Sequence, residues 1–86
     1  MSSIQDILNS IQSLEKDADN ALRSLRTQRV NLEETLSRTQ KHFSDQPEGK
    51  AISAGLSKAC SQIQSACCEV EQLKAALNEY SRQISS

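Results

Sequence analysis

The sequence predicts an all-α fold: an antiparallel two-helix hairpin of coiled-coil type that completes a four-helix bundle as a dimer or heterodimer. Three observations carry this expectation. Apolar residues recur every three or four positions along most of the chain, the spacing of one face of a helix. The only proline and one of the two glycines fall together in Ser44-Asp45-Gln46-Pro47-Glu48-Gly49, chemistry that ends one helix and starts another. No stretch alternates apolar and polar residues with period two, so strands are not expected.

The first helix is predicted over residues 3–43. Ser2 with Gln5 fits a capping box, and Ser3 with Asp6 is a close variant. Ile4, Ile11, Ala18, Leu25 and Leu32 form one seven-residue row. Ile7, Leu14 and Ala21 form a companion row. It fails at Gln28 and Thr35, where its neighbour Leu8, Leu22, Leu36 and Phe43 takes over. Such drift follows when 3.6 residues per turn meets a seven-residue repeat.

Residues 44–49 form the turn, and the second helix is predicted over residues 50–85. Leu56, Ile63, Val70, Leu77 and Ile84 make one row, and Ile52, Ala59, Ala66, Leu73 and Tyr80 make another. Their steps alternate four and three without a miss, the pattern of a coiled-coil seam. A short turn makes sequential helices antiparallel neighbours. Folding there sets Phe43 against Ile52, Leu36 against Ala59, Leu32 against Ile63, Leu25 against Val70, Ala18 against Leu77 and Ile11 against Ile84. Gln28 then lies on the seam opposite Ala66 and Cys67, where a polar side chain can set register. Its amide can also tilt to water past the small Ala66.

One flank of this seam is expected to stay open. It carries Leu8, Leu22, Leu36 and Phe43 from the first helix and Cys60 and Cys67 from the second. These six are the candidate partner-binding residues. Fully burying a Leu or Phe side chain is worth roughly 1.5–3 kcal/mol, so four of them rival the whole stability of a small domain. The opposite flank, with Ser10, Asp17, Ser24, Asn31 and Arg38, reads as solvated.

Composition excludes other classes. The 86 residues contain 18 Leu, Ile, Val and Phe, a single Tyr and no Trp, and the formal net charge is −1. So small an apolar complement does not wall a catalytic cleft. The chain has no Gly-rich phosphate loop, Ser-His-Asp set or convergent carboxylate pair, so neither an enzyme nor a cofactor is expected. A zinc site would need His42 beside the cysteines, and the hairpin register separates them, so no metal is expected. Arg23, Arg26 and Arg29 form a basic stripe that could meet phosphate. Glu33 follows Arg29 at helical i,i+4 spacing and no aromatic lies nearby, so the stripe reads as a solvated charged face. Nucleic acid is not an expected partner. The three cysteines all lie within residues 60–68 and do not form a disulfide framework. With no basic-apolar leader and no apolar run of membrane-spanning length, a cytoplasmic location is expected. Export without a cleaved signal stays open.

A chain of fewer than 100 residues built as two long helices around one short turn resembles several small secretion-associated bacterial families. Nearest are the WXG100 (ESAT-6-like) proteins of type VII secretion and the helical partners exported with type VII toxins; type III needle subunits share the outline. The turn here carries no Trp-X-Gly, and Tyr80-Ser81-Arg82-Gln83-Ile84 lacks the acidic residue of that family's C-terminal export signal. The resemblance implies a dimer or heterodimer that masks or escorts a helical partner. The expected function is therefore a non-catalytic adaptor, chaperone-like or targeting module. The alternative is a self-contained homodimeric bundle with a structural or RNA-binding role.

Overall fold

A computed structural model describes residues 3–86. Two helices fill them: α1, Ile4–Phe43, and α2, Pro47–Ser85. Ser3 caps α1. Its hydroxyl accepts from the Asp6 backbone N–H at 3.1 Å, and its own N–H donates to the Asp6 carboxylate at 3.3 Å. Two of the unpaired donors at the helix start are thus satisfied reciprocally. The alternative pair begins at Ser2, which lies outside the described residues. Lys41 and His42 in the last turn of α1 sit where the helix dipole favours positive charge.

The turn is shorter than the sequence predicts, because α2 begins at Pro47 and not at residue 50. Proline suits the first helical position. Its φ is already helical, and the N–H it lacks would have had no partner there. Gln46 before it is extended, with φ −107° and ψ 140°, as steric clash with a following proline demands. Its N–H donates to the Phe43 carbonyl at 3.1 Å, and its carbonyl accepts from Lys50 N at the same distance.

The two helices lie side by side as a rod of 62 × 19 × 15 Å. Its radius of gyration is 19.2 Å, against about 12 Å for a compact domain of this length. The core is correspondingly thin. Ile11, Ala18, Leu22 and Cys67 are the buried apolar residues among those described, and none of their side chains is completely sealed.

Burial shows which rows face each other. In α1 the shielded positions are Leu8, Ile11, Glu15, Ala18, Leu22, Leu25, Arg29, Leu32, Leu36 and Thr39, with Ile7 and Thr35 at the edge. In α2 they are Gly49, Ser53, Leu56, Cys60, Ile63, Cys67, Val70, Lys74, Leu77, Ser81 and Ile84, with Ala59 and Ala66 at the edge. Both series climb in alternating three- and four-residue steps, so the heptad seam exists. On each helix it is displaced by one row, about 50° of rotation, from the seam predicted by apolar content. Ile11, Ala18, Leu25 and Leu32 of one row and Leu56, Ile63, Val70, Leu77 and Ile84 of the other take part as predicted, while Ile4 is 60% exposed. The companion rows are those of Leu8 to Leu36 and Ser53 to Ser81.

Candidate functional site

The displacement relocates the candidate partner-binding residues. Leu22 and Cys67 are 3% and 5% exposed, and Leu8, Leu36 and Cys60 are half-buried. These five lie in the rows that close the hairpin, so the flank expected to be open is the inside of the fold. Phe43, beside the turn, is 48% exposed with its ring edge-on to His42 at 6.3 Å. Gln28 is exposed and stands one position off the seam; Arg29 occupies the seam place. The Gln28 amide nitrogen reaches the Ser24 hydroxyl at 3.5 Å within its own helix.

Closing on this side shields Leu8, Leu22 and Leu36 and also matches charges. Arg26 Nη2 meets Glu71 Oε1 at 3.1 Å, Lys74 pairs with Asp19, and Arg29 Nη1 donates to the Gln64 side-chain carbonyl. All three contacts cross between the helices on one flank. That flank is formed by Gln5, Gln12, Asp19, Arg26, Glu33 and Gln40 of α1, with Lys50, Ser57, Gln64, Glu71 and Asn78 of α2; it contains no apolar residue. A shallow cleft of about 750 Å³ runs along it, lined by Asp19, Leu22, Arg23, Arg26, Glu71 and Lys74 among others. Its cations are largely matched by carboxylates. Arg29 Nε also lies 3.6 Å from Glu33 Oε1.

The other flank has the opposite character. Helical spacing places Ile7, Leu14, Ala21, Gln28, Thr35 and His42 of α1 there, alongside Ile52, Ala59, Ala66, Leu73 and Tyr80 of α2. None of these eleven positions is Asp, Glu, Lys or Arg, in a chain in which those types make up 24% of residues. Leu14 and Leu73 are each 52% exposed and Tyr80 is 46% exposed. Apolar content alone assigns these residues to the seam. The signal that Leu14, Leu73 and Tyr80 lie outside it is the set of opposite charges on the far side of the seam, at Asp19, Arg26, Glu71 and Lys74.

Among the described residues, no group of three or more His, Cys, Asp or Glu side chains is placed to hold a metal ion. No helix there is long and apolar enough to cross a membrane. Cys60, Cys67 and Cys68 are free thiols. Comparison with protein-family models, curated proteins and solved structures found no match to this chain.

Proposed function

We propose that this chain is a non-catalytic interaction module whose uncharged flank docks another pair of helices, completing a four-helix bundle and serving as adaptor or escort for a helical client. The observation that supports the reading is the charge-free strip running past Leu14, Leu73 and Tyr80. Single exposed apolar residues are ordinary on a soluble protein; a contiguous strip marks a contact surface. Covering the exposed half of each large side chain is worth about 1 kcal/mol apiece. That is a substantial gain for a fold with so thin a core. The hairpin outline shared with small secretion partners adds a setting, the escort of a helical client for export.

The RNA-binding reading has a specific observation against it: of the stripe Arg23, Arg26 and Arg29, the last two are already beside carboxylates, as is Lys74 on the same flank. Phosphate would have to displace those partners.

Leu73→Glu tests the docking reading. The variant hairpin should keep its helical circular dichroism and its melting temperature in dilute solution, while losing every association the parent chain shows. Unfolding of the dilute variant would mean that Leu73 belongs to the hairpin interior. Associations that survive the charge would remove the flank as a docking surface.

A further inference from the structure

We infer that in the protein without a client this flank is covered by a second copy of the chain, joined by a two-fold axis at the level of Ala66 and Gln28 that sets the two α2 helices antiparallel. The inference rests on the docking reading and adds to it the partner and the geometry.

The row Ile52, Ala59, Ala66, Leu73, Tyr80 is built for self-pairing. In a two-fold interface, if residue i meets j then j meets i. With the axis at Ala66, that residue meets its own copy. Ala59 meets the copy's Leu73, and Ile52 meets the copy's Tyr80. Packed helices cross at roughly 20°, so they are closest at the axis and separate away from it. Side-chain size in this row follows that gap. Two alanines stand at the crossing and an Ala–Leu pair follows one heptad out. An Ile–Tyr pair lies two heptads out, about 21 Å along the helix.

The other helix agrees with the same axis. The contacts Arg26–Glu71 and Arg29–Gln64 bracket Gln28 and Ala66, so these two residues stand at one height in the hairpin. An axis at Ala66 therefore brings Gln28 toward its own copy. A carboxamide both donates and accepts, so two glutamines related by a two-fold can satisfy each other. Gln28 has only the long 3.5 Å contact to Ser24 within its chain.

The competing arrangement, with the axis parallel to the helices, would lay Leu14 on Tyr80, Ala21 on Leu73, Gln28 on Ala66, Thr35 on Ala59 and His42 on Ile52. It sets the Gln28 carboxamide against an alanine methyl, without the reciprocal partner that its own copy supplies. Area is sufficient: the 62 × 19 Å face exceeds in projection the roughly 800 Å² that each partner contributes to a standard interface.

The native chain allows a direct test. Ile52 and Tyr80 are separated by about 42 Å on one helix, so a nuclear Overhauser effect between them can arise only between copies. In a sample mixing isotope-labelled and unlabelled chains, the expected cross-peaks join the Tyr80 ring to Ile52 methyl groups and Leu73 to Ala59. Light scattering should give twice the 9.5 kDa chain mass. A dimer showing Tyr80–Leu14 cross-peaks between chains in place of Tyr80–Ile52 would overturn the antiparallel axis and leave the docking surface in force. A chain that stays monomeric at millimolar concentration would overturn the second copy. The docking reading would then stand or fall separately, on whether Leu73→Glu releases a different helical partner.

Discussion

Arg26 of α1 and Glu71 of α2 meet at 3.1 Å across the hairpin, and like Lys74–Asp19 they favour the side of the rod that closes. Their energetic weight is small, because both side chains are more than half exposed. A double-mutant cycle of Arg26→Ala and Glu71→Ala should give a coupling of about 0.2–1 kcal/mol that fades as salt is added. The two charges select between faces of similar apolar content. A coupling above 2 kcal/mol that persists in molar salt would contradict the exposed geometry.

The burial difference between two leucines should be visible in stability. Leu22 sits in the seam at 3% exposure, and Leu73 lies outside it. Leu22→Ala should cost about 2–4 kcal/mol, the range for truncating a buried leucine, and lower the melting temperature by roughly 10 °C or more. Leu73→Ala should cost less than about 0.5 kcal/mol in a dilute sample. A larger loss at Leu73 than at Leu22 would place the hairpin seam where apolar content alone puts it in α2, on the row of Ile52 and Leu73.

That contrast shows what is legible in the sequence. The two helices, their antiparallel order and the neighbourhood of Leu25 and Val70 all follow from the seven-residue recurrence and from one Pro-containing turn. The flank is another matter. Each helix has a central apolar row with a usable row on either side, and the row of Ile52, Leu73 and Tyr80 is greasier than that of Ser53, Cys60 and Lys74. In α2 hydrophobic periodicity therefore favours the wrong neighbour, whereas in α1 the row of Leu8, Leu22 and Leu36 is the greasier one. The deciding terms are charges that cross between the helices, and small residues such as Cys60 and Cys67 that take a place in the seam. Neither is periodic, and both become readable only after the register is known. The start of α2 differs for a local reason: Pro47 reads as the end of a turn in a Pro-Glu-Gly run, although its fixed φ equally suits a first helical residue.

Two adjacent cysteines supply an internal measure of seam opening. Cys67 is 5% exposed, while Cys68 faces solvent. A disulfide reagent should modify Cys68 at the rate of a free thiol and Cys67 only when the hairpin opens locally. An opening free energy of about 3 kcal/mol would separate the two rates by roughly a hundredfold. Mass spectrometry of peptides quenched at successive times reads both sites at once. Comparable rates would show that the α1–α2 seam does not shield this position.

The two glycines should respond to alanine in opposite directions. Gly49 is buried where α2 leaves the turn. A Cβ there would collide with the Phe43 carbonyl oxygen and lie 2.5 Å from Phe43 Cβ. Much of the obstacle is backbone, so it yields only if the turn opens. Gly49→Ala should therefore destabilise the hairpin by about 1–3 kcal/mol, the range for forcing extra volume into a packed site. At Gly55 a Cβ would meet nothing within 4 Å, and the residue is helical without a positive φ. There alanine restricts the unfolded chain and favours the helix, so Gly55→Ala should add about 0.5–1 kcal/mol. Denaturant melts of the two variants check the pair, since a midpoint that rises for Gly49→Ala would mean that the helices do not approach as closely at the turn as Phe43 and Gly49 require.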